Sequence, residues 1–230
     1  MSSEILHISE NIYRSRKILL EMLDDRGYDT SDYTNYNQDD INVMLNSFIS
    51  HKAKDTAETG PLDILVSHKT DGSRTFVKYR LDKFKVSKQL EELITEIYAT
   101  TNTLQPKDTL IFIMLDRVIF KQNPKENRVE DYVNRYFIKH KYFIQIFGLE
   151  NLLFNISKHV LVPKHEVITK EETKKLLLDY SIQSIKNFPT IRREDPAAKY
   201  IGLRPGQICR ITYPSLASCN YVKYRLCTLN

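Results

Sequence analysis

The sequence predicts a two-domain protein of the α/β (α+β) class, with domains at residues 1–157 and 158–230. In the first part, short apolar runs of strand type alternate with amphipathic helical segments, which is typical of a small sheet covered by helices. Near residue 157 the pattern changes to short helices with strong capping signals, followed by two strands. A chain of 230 residues that is 41% hydrophobic can build cores of this size.

The N-terminal domain is predicted to begin with two helices and a β-hairpin. Apolar residues at helical spacing predict a helix over 4–25, and Gly27 suits the left-handed residue that ends it. A second helix is predicted near 38–50. Strand-like runs at 62–68 and 74–81 flank the turn signal "KTDGS".

The rest of this domain is predicted to alternate helix and strand. Residues 86–99 form an amphipathic helix with four apolar residues on one face, Leu90, Leu93, Ile94 and Ile97. The uninterrupted apolar run 109–116 predicts a strand buried on both sides. A helix over 127–140 and a strand over 141–148 follow.

The C-terminal domain carries clear helix-start signals and forms a short β-sheet. Thr169 and Glu172 make a capping box, which predicts a helix of about ten residues. Asp195 is placed as the N-cap of a second helix, with Pro196 at its first position and Gly202 just past its end.

The last third of this domain is predicted to be two strands after a turn. "RPGQ" (204–207) has the pattern of a type II turn, and strands follow at 207–213 and 221–227. In the last strand alternation puts Val222, Tyr224 and Leu226 on one face. Tyr221, Lys223 and Arg225 lie on the other face.

Charge and cysteine content favour an intracellular protein with a mildly basic C-terminal part. Residues 158–230 hold 13 basic and 6 acidic residues, a net charge of +7, whereas residues 1–157 hold 21 and 23, a net charge of −2. This basic excess is compatible with nucleic acid or an acidic protein partner and does not choose between them. No apolar run is long enough for a membrane span, and the first residues do not form a secretory signal. The odd set Cys209, Cys219 and Cys227 contains no CxxC pair and is interpreted as reduced thiols.

His159 and His165 are the first candidates for metal ligands. In an extended segment, residues six apart lie on one face but roughly 20 Å from each other. No cysteine or third histidine lies nearby in the sequence, so both are interpreted as structural residues of an extended segment that leads into the capping box. The chain also lacks a P-loop, a GxGxxG fingerprint and a GxSxG elbow.

A metal-dependent nuclease is the main enzymatic alternative. Asp63 could supply the first carboxylate at a strand end. Asp82 and Lys85, however, have two residues between them, so strand alternation sends them to opposite faces. We therefore predict no catalytic residue, no metal site and no cofactor.

From "HVLVPKHEVITKEE" through "FPTIRREDPAAKYIGLRPGQICRITYPS" to "YVKYRLC", the chain resembles the family of RNA polymerase subunit 5 of eukaryotes and its archaeal counterpart. The resemblance covers residues 158–228 and keeps the order and spacing of the elements. It is thinner before residue 158, where "DDRGY" and "LDILVSH" match best.

The resemblance implies a non-catalytic subunit of a multisubunit DNA-dependent RNA polymerase, present in one copy and not as a homo-oligomer. Its C-terminal assembly domain would dock on the largest subunit, and its N-terminal jaw domain would lie near downstream DNA. The positions expected at the largest-subunit interface are Pro163, His165, Asp195, Pro196, Tyr200, Gly202, Arg204, Gly206, Arg210, Tyr221, Tyr224 and Arg225. Several of these residues also suit purely local roles in caps and turns. Arg204, Arg210 and Arg225 are the best candidates for direct contacts, because guanidinium groups suit interface ion pairs.

The sequence departs from the family pattern in two loops. The family's Glu and Arg in the loop between the last strands are here Leu216 and Asn220. In the jaw only the proline of a Thr-Pro-Ser-Ala turn is kept, and the positions expected near DNA are Lys121, Asn123, Pro124 and Lys125. The net charge of −2 argues against strong independent DNA binding.

An alternative from the class of binding modules is a diverged relative that bridges transcription factors outside the core polymerase.

The 23 Ile, 21 Lys and 14 Asn residues favour an AT-rich genome, such as that of a large DNA virus or a protist. The expected location is the nucleus for a cellular protein, and the virion or the host cytoplasm (a viral factory) for a viral one.

Overall fold

The computed structural model describes residues 3–50, 60–81, 88–115, 129–214 and 221–229. The chain forms two compact units, Met1–Phe154 and Asn155–Asn230. Over the described residues it has six α-helices and two mixed four-stranded sheets, which confirms the α+β class.

Two helices open the N-terminal unit, as predicted. Helix α1 spans Ser3–Asp25 and helix α2 spans Gln38–Ser50. The chain leaves α1 through Gly27, whose φ is +90°. The amide of Gly27 donates to the carbonyl of Asp24, and that of Tyr28 donates to Leu23. This pair of bonds is a Schellman motif, so the predicted glycine cap is confirmed.

The N-terminal sheet has the strand order β1-β2-β3-β4. Its strands are β1 (Ile64–Ser67), β2 (Arg74–Arg80), β3 (Thr109–Met114) and β4 (Phe143–Gly148). The predicted hairpin pairs β1 with β2 antiparallel, while β3 runs parallel to both of its neighbours. Every residue of β3 is buried, as the uninterrupted apolar run predicted.

Two helices cover one face of this sheet. Helix α3 spans Lys88–Thr95 and continues as a π-helical turn, Glu96–Thr100, and helix α4 spans Val129–His140. The four apolar residues predicted to share a face, Leu90, Leu93, Ile94 and Ile97, are all buried against the sheet. No described helix has the length and apolar character needed to cross a membrane.

The C-terminal unit is built on a sheet with the order β5-β7-β8-β6. Its strands are β5 (Lys164–Val167), β6 (Thr190–Arg192), β7 (Ile208–Tyr213) and β8 (Tyr221–Thr228). Strand β6 was not predicted, because a strand of three residues shows too little alternation of polar and apolar residues to be recognised in the sequence. It exists because it pairs in parallel with β8.

The helices of this unit begin where the sequence predicted. Helix α5 spans Lys170–Asp179 behind the capping box of Thr169 and Glu172. Helix α6 spans Pro196–Tyr200, and Asp195 caps it.

The lead-in to this unit differs from the expectation in one respect. The segment from His159 to Val162 forms a turn, in which the amide of Val162 donates to the carbonyl of His159 at 2.9 Å. Extended structure begins only at Lys164. The prediction of a continuous extended segment from His159 was therefore wrong.

Candidate docking surface of the C-terminal unit

One apolar cluster lies on each face of the C-terminal sheet. Cys209 and Cys227 face α6 and the loop after it, in a cluster with Ile191, Ala198, Leu203 and Ile211. On the other face, Ile208 and Leu226 pack in a cluster with Leu176 of α5. The strands continue to Tyr213 at the end of β7, which packs against the first of these clusters, and to Tyr221 at the start of β8.

Two tyrosines and a lysine lie together at that end of the sheet. Tyr213 and Tyr221 are register partners, and their ring centroids lie 6.0 Å apart. The Lys223 ammonium nitrogen lies 5.1 Å from the centroid of Tyr213 and 5.2 Å from that of Tyr221. Tyr221 is 55% exposed. We call these three residues the tyrosine–lysine patch.

The patch has the chemistry of a protein-interaction surface. Tyrosine rings give large contact areas at small entropic cost and are enriched among the residues that dominate binding energy. The ammonium group over both rings adds a cation that a partner's carboxylate can meet. Of the three residues only Tyr221 stood in the predicted interface set. Strand alternation in the sequence placed Lys223 on the same face as Tyr221. Tyr213 lies beside them only because β7 pairs with β8 in the register that puts Tyr213 opposite Tyr221.

The opposite face of the sheet carries an ion-pair network centred on Arg210. Its guanidinium donates from Nε and Nη2 to Glu166 Oε2 at 3.3 Å and 3.2 Å. Nη1 lies 3.7 Å from Glu172 Oε1. Lys164 Nζ lies 2.7 Å from Glu166 Oε1, and its hydrogen bond is the main cause that holds the pKa of the Glu166 carboxyl below its usual range.

Arg210 therefore has carboxylate partners inside its own unit. Glu172 also accepts the Thr169 amide at 2.8 Å through Oε2, so one carboxylate joins the start of α5 to the sheet. Arg210 keeps about a third of its side-chain surface (35%), which a partner can still contact.

Four residues of the predicted interface set have the local roles that the sequence assigned. Asp195 Oδ1 accepts the amides of Ala197 at 2.9 Å and Ala198 at 3.3 Å. Pro196 stands at the first turn of α6. Gly202 and Gly206 have φ of +67° and +90°, so both turns require their conformational freedom. The amide of Gln207 donates to the carbonyl of Arg204, which closes the turn around Gly206.

Tyr200, another residue of the predicted interface set, is buried inside the unit. It is 7% exposed, and Asn155 Nδ2 donates to its hydroxyl at 2.9 Å. Its side chain holds the first residue of the unit to α6 and leaves little surface for a partner.

The remaining interface candidates lie partly exposed on the sheet and its lead-in. Nδ1 of His165 lies 2.7 Å from the carbonyl oxygen of Pro163. A carbonyl oxygen can only accept a hydrogen bond, so Nδ1 is the donor. Arg225 Nη1 donates to the carbonyl of Thr190 at 2.8 Å, across β8 and β6. Tyr224 packs against the cluster under α5.

His159, a candidate metal ligand, and Asp63, the candidate nuclease carboxylate, each contact neighbouring groups of the protein. Nδ1 of His159 accepts the amide of Leu161 at 3.2 Å, inside its turn. Over the described ranges, no three His, Cys, Asp or Glu residues are grouped so that they could hold a metal ion. Asp63 is 6% exposed and pairs with Lys78, while Asp82 and Lys85 lie outside the described residues.

Seven further positions singled out from the sequence also lie outside the described residues. They are Lys121, Asn123, Pro124 and Lys125 of the jaw, Leu216 and Asn220 of the changed loop, and Cys219, interpreted above as a reduced thiol.

Comparison with known proteins gives the same family over both units. The family described as "RNA polymerase Rpb5, C-terminal domain" matches residues 154–227. The "DNA-directed RNA polymerases I, II, and III subunit RPABC1" of Caenorhabditis elegans is 30% identical over 219 residues, which is 94% of each chain. The "DNA-directed RNA polymerases IV and V subunit 5B" of Arabidopsis thaliana is 30% identical over 221 residues, which is 93% of this chain and 88% of the plant protein.

Proposed function

Because this chain belongs to the RNA polymerase Rpb5 family, we propose that its C-terminal unit docks on the largest subunit of a multisubunit DNA-directed RNA polymerase. The chain itself is the non-catalytic subunit 5 of such an enzyme. One observation carries the docking proposal: the tyrosine–lysine patch lies at the end of the C-terminal sheet, where Tyr213 packs against the cluster on the α6 face and the ring of Tyr221 beside it is exposed.

The patch and the Arg210 network have different roles in this proposal. Tyr213 and Tyr221 supply the apolar contact, and Lys223 meets an acidic group of the partner. His165 extends this surface, because it is the register partner of Ile211, which in turn pairs with Lys223. Arg210, held by Glu166 and Glu172, keeps α5 fixed against the sheet and offers its remaining surface at the edge of the contact. Asp195, Pro196, Gly202 and Gly206 act by shaping the turns around α6.

The test is recovery of the largest subunit with tagged full-length chain from cells that also contain the native polymerase. The double substitution Tyr221→Ala and Lys223→Ala removes an exposed ring and its cation without touching the two apolar clusters. We expect its affinity for the largest subunit to fall roughly 30-fold, or about 2 kcal/mol, as for central interface residues. Tyr180→Ala is the matched control, since Tyr180 is 66% exposed in the same unit but outside the patch.

Two outcomes would overturn the docking proposal. In one, the double variant recovers as much polymerase as the unmodified chain. In the other, the unmodified chain purifies with transcription factors and without polymerase, which would favour the bridging alternative.

We propose further that the N-terminal unit forms a jaw beside downstream DNA in the assembled enzyme. The proposal rests on the family resemblance and on Lys121, Asn123, Pro124 and Lys125, which follow the buried strand β3 in the sequence. A photo-crosslinker at Asn123, in polymerase assembled on a template, should label DNA ahead of the active site. The same group at Asp32, which precedes α2, should not. Equal labelling from both positions, or none from Asn123, would contradict the jaw proposal.

The origin and location of the chain are also proposals. Its Ile, Lys and Asn content supports an AT-rich genome, for which a large DNA virus or a protist is the proposed source. Membership of a nuclear polymerase would place the chain in the nucleus, and a viral polymerase would place it in the virion or the viral factory. The subunit composition of the native complex tests both statements.

A further inference from the structure

The two edges of the C-terminal sheet differ in whether their outward peptide groups have hydrogen-bond partners. Strands β5 and β6 are the edges, because the strand order is β5-β7-β8-β6. An edge strand turns the backbone groups of alternate residues away from its neighbour, and proteins commonly cover or block such groups. In this sheet the β6 edge is blocked and the β5 edge is open.

The β6 edge is blocked by groups of the chain itself. The amide of Arg193 donates into β8 at 3.0 Å, so the residues that alternate with it, Thr190 and Arg192, turn their backbone away from β8. The carbonyl of Thr190 accepts Nη1 of Arg225 at 2.8 Å. The carbonyl of Arg192 accepts the amide of Asp195 at 3.1 Å. A further strand beside β6 would have to displace both donors.

The β5 edge has no such block. The amide of Ile168 donates to the carbonyl of Ile208 at 3.1 Å, in continuation of the β5–β7 register. Alternation from this bond points the backbone groups of His165 and Val167 away from β7. Both residues are partly exposed, and among the residues that the structure describes no group bonds their amides or carbonyls. These two peptide units are therefore available to another chain.

Two exposed apolar side chains stand just before this open edge. Val160 is 89% exposed and Leu161 is 82% exposed. Their turn is fixed by His159, since Nδ1 of His159 accepts the amide of Leu161 at 3.2 Å and its carbonyl accepts the amide of Val162 at 2.9 Å. Adjacent apolar side chains held out in water are typical of a contact with another protein.

The side chains of β5 define the kind of segment that fits beside it. Val167 packs against the apolar cluster on the α6 face, and alternation puts His165 on the same face. Lys164 and Glu166 lie on the α5 face, where Glu166 pairs with Arg210. A strand added to β5 therefore needs apolar side chains on the α6 face and polar side chains on the other, which is an alternating pattern.

We propose that an extended segment of the largest polymerase subunit adds to this sheet as a fifth strand, beside β5. The inference rests on the docking proposed above. The open edge is continuous with the tyrosine–lysine patch, because His165, Ile211 and Lys223 are register partners across β5, β7 and β8. The peptide groups of His165 and Val167 bind the backbone of the segment, and the exposed apolar pair contacts it where it passes the start of β5.

The test removes one outward amide of β5. Proline lacks the amide hydrogen and is tolerated on an edge strand where that group faces solvent. Tagged full-length chains with His165→Pro or His165→Ala are recovered from cells that contain the native polymerase. Both substitutions remove the imidazole, but only proline removes the amide and obstructs the added strand. We expect His165→Pro to bind the largest subunit roughly tenfold more weakly than His165→Ala.

The blocked edge supplies the matched control. Thr190 is exposed and its amide also points out of the sheet, on β6. Thr190→Pro and Thr190→Ala should bind the largest subunit equally tightly, because the proposal places no strand beside β6.

A second measurement keeps the test valid if His165→Pro does not fold. Hydrogen exchange of the unmodified chain, resolved to single amides by mass spectrometry, is compared between the free chain and the purified polymerase. We expect the amides of His165 and Val167 to exchange at least about 100-fold more slowly in the polymerase, because they become hydrogen-bonded there. The amide of Glu166, which points at β7, should be protected in both states.

Three outcomes overturn the added strand. His165→Pro and His165→Ala bind the largest subunit equally, the two outward amides exchange at the same rate in both states, or the free chain forms a dimer that His165→Pro abolishes. The last outcome would assign the edge to a second copy of the chain. The first two leave docking through the tyrosine–lysine patch intact, whereas an unmodified chain that recovers no polymerase would overturn both proposals.

Discussion

Lys78 and Asp63 form a buried ion pair in the N-terminal unit, with the ammonium nitrogen 3.2 Å from Oδ2 and the two side chains 6% and 2% exposed. The same carboxylate accepts the amide of Gly60 at 2.8 Å and that of Tyr79 at 3.1 Å. Burial raises the pKa of Asp63 in spite of these donors. The ion pair therefore links Asp63, which precedes β1, to Lys78 in β2. Removing the two charges from water costs free energy.

The first prediction is that Asp63→Asn lowers the free energy of unfolding by about 3–5 kcal/mol, because it removes the carboxylate that pairs with the buried Lys78 ammonium. Urea denaturation of the full chain measures this change. The double variant Asp63→Asn with Lys78→Met removes the buried ammonium as well and should recover part of the loss. A loss below about 1 kcal/mol in the single variant would show that the pair is dispensable.

The second prediction compares two glycines with positive φ. Gly27 has φ +90°, and a Cβ there would lie 2.9 Å from Nε2 of His68. Gly72 has φ +63°, and a Cβ there would meet no atom within 4 Å. Gly72→Ala should cost about 1 kcal/mol for the backbone conformation alone. Gly27→Ala should cost clearly more, because the His68 ring, whose Nε2 bonds the carbonyl of Arg26 at 3.0 Å, must also move. Thermal unfolding of both variants checks the order, and equal losses would contradict it.

The third prediction separates two roles of Asp195. Asp195→Ala removes the acceptor for the amides of Ala197 and Ala198, so it should lower the free energy of unfolding by about 1 kcal/mol. Asp195→Asn keeps a capping oxygen and should restore most of that stability. If Asp195 acts only as a cap, the Asn variant should also recover the largest polymerase subunit at the unmodified level. A stable Asn variant with weak recovery would instead assign the carboxylate to the interface.

The fourth prediction concerns the two buried thiols of the C-terminal core. Burial raises the pKa of Cys209 to about 11 and that of Cys227 to about 12, from 9.0. The thiolate is the reactive form, so iodoacetamide at pH 8 should leave both residues unmodified in the folded chain. The same reagent in urea should modify both, and peptide mass spectrometry distinguishes the two states. Fast modification of either residue in the folded chain would contradict the buried placement.

The same two thiols predict how stability depends on pH. Because the pKa of each thiol is higher in the folded state, the folded chain keeps these two protons up to a higher pH than the unfolded chain does. The stability from these thiols is complete below pH 9 and is lost as the pH rises through about 11 to 12. The double variant Cys209→Ala with Cys227→Ala should therefore show a shallower fall in the free energy of unfolding above pH 9. An unchanged slope would contradict the prediction.

Much of the fold could be predicted because its signals are local. The apolar period of α1, the capping box before α5 and the Asp195-Pro196 start of α6 each lie within a few residues of the element they specify. Short-range hydrogen bonds and steric limits on φ act at that range, so these features can be read from the chain itself. The turn at His159 to Val162 could not, since no glycine or turn dipeptide marks it.

The sequence by itself determined the α+β class, the caps and turns, and the resemblance that points to a polymerase subunit. Only the tertiary structure decided which residues meet. Strand β6 depends on β8, Tyr213 reaches Lys223 through strand register, and Arg16 comes to lie beside Leu62 and two tyrosines far along the chain. The physical reason is that cross-strand pairing and burial join residues that are distant in sequence. The burial that made Tyr200 a core residue and left Tyr221 exposed has no local sequence signal.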